Sequence, residues 1–306
     1  MHARITFLHA LSLLHAGTGQ GAGVIDLPIA REKATGLPFL PGSSLKGSIR
    51  ASYDMHDPEQ ARECRKVFGP DVADMNEDGY ASSVQFSDQR LLLLPVRSLA
   101  GTFAWVTSPY VLRRLARDSE DAEATLPTAP VPTVQDEENY IVIGTTSKIL
   151  VDAEVYLEDL ELKHGQPDDS PAANSWASWI AERVFPDDTS WQTTLRERFC
   201  IIHDDVFSFL LDTATEITAR IKLKPEAKIV EDGGLWYEEA LPTETILSGI
   251  VLVAPTKAAD IRPDRVFEIL ENRTQKTLQF GGKATVGRGL CRVRLAANSG
   301  ETGRGA

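Results

Sequence analysis

The feature that most restricts this chain is a strand–helix–strand order that occurs twice, once toward each end, around a long middle segment. ETILSGIVLVAP (244–255) predicts a strand, RPDRVFEILENR (262–273) an amphipathic helix, and LQFGGKATVGRGLCRVRLA (278–296) a glycine loop followed by an alternating strand. At the other end, ARITFLHALSLL (3–14) predicts a strand and SSLKGSIRASYDM (43–55) a short helix. Leu45, Ile49 and Tyr53 share one face of that helix, with Ser43 or Ser44 as its N-cap. SSVQFSDQRLLLLPVRS (82–98) then supplies one or two strands. No internal repeat or low-complexity tract interrupts this order.

A βαβ–βαβ order with an expanded middle is what an α+β, ferredoxin-like fold requires, and such a sheet is a common platform for RNA. The middle segment predicts a helix at 108–118, extended structure or a hairpin over 139–162, and helix, strand, helix over 191–217. Trp176, Trp179 and Trp191 suggest that it has a core of its own.

The net charge of −12 at first argues against a nucleic-acid partner, but its distribution removes the objection. Residues 118–188 hold 17 Asp and Glu against three Lys and Arg, a net of −14, so the remainder is close to neutral and has room for basic patches. Three widely separated cysteines, Cys64, Cys200 and Cys291, fit neither a disulfide framework nor a zinc pattern and read as packed thiols. No apolar run reaches the roughly 18–20 residues of a membrane span. The apolar N-terminus lacks the basic cluster and cleavage site of a signal peptide, so the expected setting is cytoplasmic, with no membrane partner.

Two stretches imitate phosphate loops without being one. PGSSLKGS has lysine before glycine, and FGGKATVGRG lacks the upstream glycine, so neither matches G-x-x-x-x-G-K-[ST]. What remains is a glycine loop, with Gly281, Gly282, Gly287 and Gly289 around Lys283 and Arg288, that suits backbone approach to phosphates. A tight hairpin with two solvated cations is the plain alternative. Lys46 and Arg50, at i and i+4 on the first helix beside Gly47, carry the same two readings.

Asp26 stands alone after the run GTGQGAG, between an apolar pair and a proline. A lone loop Asp is commonly a turn former or a cap. A nuclease, however, needs little more than a placed carboxylate, a divalent metal and a strained phosphodiester. His15 ends the preceding strand. EDGGLWYEEALPTE (231–244) reads as a loop tip whose Trp236 and Tyr237 stack on bases and whose Glu238 and Glu239 face a metal, or else as a buried aromatic beside a solvated acidic rim.

HAGTGQGAGVIDLPIARE, TGLPFLPGSSLKGSIR, FSDQRLLLLPVRSLAGTFAWVTSP, LWYEEALPTETIL and GGKATVGRGLCRV together resemble the RAMP superfamily, and within it the backbone subunits of type III-B CRISPR effectors, the Cmr complexes. The resemblance covers nearly the whole chain except the acidic middle. It implies a single domain: a modified RRM-like palm from residues 1–97 and 245–296, an inserted thumb and acidic region over about 98–244, and a flexible tail at 297–306.

It also implies a function. Family members polymerise with copies of themselves and other Cmr subunits along a guide RNA, and their thumbs interrupt pairing with the complementary target RNA at regular spacing. A loop carboxylate beside each interruption promotes endoribonuclease cleavage with a divalent metal, Mg²⁺ or Mn²⁺. That carboxylate and metal ligand corresponds to Asp26, with His15, Glu238 and Glu239 as candidate helpers. Ser43, Lys46, Arg50, Gly281, Gly282, Lys283, Arg288, Trp236 and Tyr237 are the expected RNA contacts. Two other roles compete: a guide-binding scaffold without cleavage, and an endonuclease that processes the guide precursor with an acid–base pair near the glycine loop.

Overall fold

The strand His2–Ala10 is a central strand of the four-stranded palm, within a larger sheet in which it lies third from one edge. It pairs antiparallel with Ile246–Val253 on one side (Ile5 opposite Ile250) and with Leu290–Leu295 on the other (Leu8 opposite Val293). Gln89–Arg97 joins the outer edge of Ile246–Val253, also antiparallel. The spatial order is thus Leu290–Leu295, His2–Ala10, Ile246–Val253, Gln89–Arg97. That is the split-βαβ arrangement of a ferredoxin-like core, in agreement with the order read from the sequence. This computed structural model describes residues 1–18, 25–70, 81–223, 230–254 and 261–296. The expected tail at 297–306 lies outside the described residues.

Alternation along the central strand shows that both sheet faces are covered. Arg4 lies 4.3 Å from the Phe267 ring centroid and pairs with Glu271 at 2.5 Å, both on the helix Pro263–Thr274. Phe7 and His9 point the other way, where Phe7 meets Trp179 edge-on at 6.1 Å and His9 meets Phe185 at 5.1 Å. Seven consecutive buried residues in His2–Ala10 follow from two covered faces. The open sheet face that an RNA-binding platform needs is therefore occupied here. Helices Pro109–Asp121 and Ser170–Val184, both from the middle segment, pack against the central strand.

The same segment lengthens the sheet. Phe103–Thr107 forms a hairpin with Gln89–Arg97, Phe199–Ile202 runs parallel to it, and Asn139–Val142 and His164–Gly165 complete that edge. Trp176 and Trp179 are buried in the one core shared with the palm strands, not in a core of their own. The helix–strand–helix expected over 191–217 appears as Thr189–Arg198, Phe199–Ile202 and Asp204–Thr213. Two smaller sheets stand apart from the main one: the meander Leu150–Val151, Glu154–Leu157, Leu160–Leu162, and a long hairpin of Glu216–Leu223 with Val230–Ala240.

Helix Gly42–Ala51 buries Leu45 and Ile49, as its spacing requires, but neither serine caps it. Pro41 holds the N-cap position and Asp88, from a distant loop, accepts the Gly42 N–H at 2.9 Å. The three cysteines are buried and form no disulfide, and burial pushes the Cys200 and Cys291 thiols up. Among the described residues, no helix is long and apolar enough to cross a membrane.

Candidate active site

Asp26 sits on a loop clamped at its base. Gly17 bridges Ile29, and Ala30 N–H donates to Ala16 C=O at 2.7 Å. The returning limb then lies beside the long hairpin. Leu27 and Glu238 are parallel bridge partners, Leu27 N–H donates to Tyr237 C=O at 3.1 Å, and Glu239 N–H donates to Leu27 C=O at 3.0 Å. Asp26 is exposed, and its Oδ2 accepts the Tyr237 N–H at 2.8 Å. The capping and functional readings of a lone Asp are therefore compatible: one oxygen fixes the side chain, and among the described residues the other is left to solvent. The glycine run at 19–24 lies outside the described residues.

His15 is buried between this loop and the C-terminal glycine loop. Its Nδ1 lies 2.6 Å from the Glu239 carbonyl, which only accepts, so Nδ1 carries the proton. Its own carbonyl accepts the Gly282 N–H at 2.9 Å. Gly281, at φ +71°, is packed so closely on the His15 carbonyl that a Cβ has no room there. Gly281 and Gly289 thus serve close approach of backbone segments, whereas a Cβ on Gly287 meets nothing within 4 Å.

The stretch 231–244 is not a loop tip. It lies largely in the strand Val230–Ala240, with Gly233 and Gly234 inside it. Glu238 is buried on the hairpin face that meets the glycine loop. Its carboxylate takes Lys283 Nζ at 2.8 Å, Arg220 Nε at 3.3 Å, Arg288 Nη1 at 3.5 Å and the Trp236 indole N–H at 2.8 Å. Burial pushes this carboxyl up, but the hydrogen bonds from Lys283 and Trp236 and the charges around it prevail and hold it at about 2, against an ordinary 4.5.

Four expectations change as a result. Glu238 is the counter-ion of a cationic cluster, not a metal-facing helper. Arg288 is buried, with its Nη2 on Thr218 Oγ1 at 3.2 Å, so it is not offered to an RNA phosphate. Lys283 is partly exposed but already paired. Glu239 is buried as well, bound to Ile29 N–H at 3.0 Å and Arg31 Nη2 at 2.6 Å. Trp236 is half-buried on Glu238, whereas Tyr237, beside Asp26, remains exposed.

Sequence reasoning missed Arg31, Thr218 and Arg220. The alternation of Arg220 and Lys222 in EITARIKL was the available signal for a charged strand face.

Ser43, Lys46 and Arg50 lie on a separate element, the helix Gly42–Ala51, which packs on the strand Leu278–Gln279 leading into the glycine loop. Burial, and then the neighbouring Arg50 charge, lower the Lys46 ammonium. Gly47 is exposed and a Cβ there meets nothing within 4 Å, so this face is open to an approaching backbone.

The family model for the RAMP superfamily matches residues 7–292. The chain belongs to the RAMP superfamily. Among its relatives, it is 36% identical over 304 residues, 99% of each chain, to the CRISPR system Cmr endoribonuclease Cmr4 of Pyrococcus furiosus. It is 25% identical to the CRISPR system CMR subunit Cmr4 of Saccharolobus solfataricus, over 94% of each chain. Its fold is similar to oligomeric Cmr4 from Pyrococcus furiosus, with a TM-score of 0.72 and 29% identity over 97% of this chain and 100% of that one. It is also similar in fold to a chain of the type III-B Cmr-beta complex bound to cognate target RNA, with a TM-score of 0.71 and 20% identity over 96% of this chain and 97% of that one. This RAMP chain therefore keeps the α+β palm of its family, with both palm faces covered as described above.

The donor set at Asp26 fits one kind of metal site. Among the described residues, the group of three ligating side chains within 4.8 Å of one another is Glu137, His203 and Asp205, which does not include Asp26. Among the described residues, Asp26 keeps one carboxylate oxygen without a partner. That suits a hard divalent ion held by one carboxylate and substrate phosphates, the usual habit of Mg²⁺, and not a closed protein cage.

Proposed function

We propose that this chain is the target-cleaving backbone subunit of a type III-B CRISPR ribonucleoprotein in the cytoplasm. Copies of it line up along a guide RNA with other Cmr subunits, and each cuts complementary target RNA beside its own Asp26. The observation that carries the reading is the exposed Asp26 carboxylate, fixed through Tyr237 at the foot of a projecting hairpin. The names of its relatives, an endoribonuclease and an oligomer among them, support the same assignment.

The hairpin is the proposed thumb element that interrupts pairing. Ile217, Ile221 and Leu235 on it are each more than half exposed, and apolar side chains of that kind part stacked bases. Unstacking one nucleotide lets its 2′-hydroxyl swing in line with the adjacent phosphorus. The 2′-oxygen gives its proton to water and bonds to phosphorus as the bond to the 5′-oxygen breaks, leaving a 2′,3′-cyclic phosphate and a 5′-hydroxyl that takes its proton from water. Asp26 holds and orients this reacting segment, with a divalent ion supplying charge neutralisation at the phosphate when bound. Lys46 and Arg50 hold guide phosphates and read no sequence, because specificity rests on base pairing.

Two outcomes are expected. Chelation of divalent ions abolishes the evenly spaced ladder of products while target binding persists, and added Mg²⁺ or Mn²⁺ restores it; cleavage that survives EDTA would remove the metal from the reading. Lys46→Ala and Arg50→Ala each weaken guide binding for every sequence alike. Each also reduces the slope of log affinity against log salt by roughly 0.7, as read from a salt titration of guide binding.

One observation favours the guide-processing role: His15 lies against the glycine loop. Its imidazole is buried, with Nδ1 spent on Glu239, which leaves it poorly placed for proton exchange with a bound strand.

A further inference from the structure

We infer that Arg31 is a positioning residue for Asp26, acting through Glu239 as a latch between the Asp26 loop and the foot of the hairpin. The inference rests on the reading of Asp26 as the catalytic carboxylate.

Residues 25–31 have little regular structure to fix them, since only isolated bridges tie them to their neighbours. Glu239 supplies three of the ties, to Leu27, Ile29 and Arg31. Its N–H holds Leu27 C=O and its C=O takes His15 Nδ1. Its carboxylate takes Ile29 N–H at 3.0 Å, Arg31 Nη2 at 2.6 Å and Thr215 Oγ1 at 3.2 Å. Leu27 and Ile29 lie one and three residues beyond Asp26, so Glu239 sets where the carboxylate emerges.

Arg31 in turn fixes Glu239. Its Nη2 also donates to Leu211 C=O at 2.7 Å, near the end of helix Asp204–Thr213, and its Nη1 to Gly36 C=O at 3.1 Å. One guanidinium thus joins the hairpin, the helix terminus and the turn after the loop. A cation at a helix C-terminus is favoured, and three acceptors in different directions require a planar fork. A lysine reaches Glu239 but not all three. Both Arg31 Nη atoms are engaged with the protein, so Arg31 does not touch the substrate. It acts by holding Asp26 in register, where a displacement of about 1 Å costs on the order of 10²-fold in rate.

The test uses assembled ribonucleoprotein carrying wild-type chain, Asp26→Asn, Arg31→Met or Arg31→Lys. Single-turnover cleavage is measured across target concentrations, alongside target affinity and the thermal unfolding midpoint. Arg31→Met is expected to lower the saturating rate by about 10- to 100-fold while half-saturation stays within about two-fold, with Arg31→Lys recovering part of the loss. A wild-type saturating rate for Arg31→Met, or a loss that appears only as weaker binding, overturns the latch. Should Arg31→Met fail to assemble, Arg31→Lys decides: a reduced saturating rate at unchanged affinity supports the latch, and a wild-type rate overturns it. Full cleavage by Asp26→Asn would overturn the underlying reading, separately from the latch.

Discussion

Ribonucleoprotein carrying Asp26→Asn is expected to cut complementary RNA about 10²- to 10⁴-fold more slowly than wild type, with target affinity unchanged. The substitution is chosen for what it preserves. An asparagine oxygen still accepts the Tyr237 N–H that Asp26 Oδ2 accepts at 2.8 Å, so the loop keeps its anchor. What disappears is the negative charge on the solvent-facing oxygen, which both metal holding and orientation of a 2′-hydroxyl require. The measurement is the rate of appearance of each product in a denaturing gel under single turnover, with a binding isotherm for the uncut target. An unchanged ladder would place the chemistry elsewhere, and loss of binding in parallel would make Asp26 a contact for assembly.

The second large effect concerns stability. Glu238 is buried against three cations, one of which, Arg288, is itself buried. Glu238→Ala leaves those charges without their counter-ion and is expected to cost about 3–5 kcal/mol, read as a lower denaturation midpoint. The same carboxylate makes stability pH-dependent, with a definite sign. Its folded-state value near 2 lies below the ordinary 4.5, so the folded chain binds this proton more weakly than the unfolded chain. The contribution is present in full above about pH 4.5 and is lost as pH falls toward 2. It amounts to roughly 3 kcal/mol by the conversion of about 1.4 kcal/mol per pH unit. Wild type should lose stability more steeply than Glu238→Gln across that interval; parallel curves would show that the cluster does not depend on the charge.

Much of the palm was legible because it depends on local periodicity. The strands 3–14 and 244–255 and the helix 262–273 carry patterns that a window of a dozen residues reveals. The helix Pro58–Phe68 had equally local signals, with Asp57 accepting the Glu59 N–H and proline at its first position, yet it was not singled out. What was misread depended on distant partners. Asp88 displaced Ser43 and Ser44 as the cap because it reaches Gly42 from another loop. The double glycine of 231–244 suggested a turn, but Gly234 sits inside the strand, where a Cβ would come 2.7 Å from Glu231 C=O and 3.0 Å from Lys222 C=O.

Charge was the least legible property. Lys283 and Arg288 look like phosphate ligands in a one-dimensional reading, and nothing in their own loop announces that Glu238 neutralises them. Asp26 was placed correctly as a loop carboxylate, but its anchor lies 211 residues away in the chain.

That separation orders events in time. The loop that carries Asp26 leaves the ribosome well before Tyr237, Glu239 and Gly282, which fix it or the neighbouring His15. Contacts of such long sequence separation form only after most of the chain is available. A nascent or truncated chain therefore displays the acidic loop without the geometry that organises it. The Asp26 carboxylate is thus set in place by the folding of later segments of the chain, not by the loop that carries it.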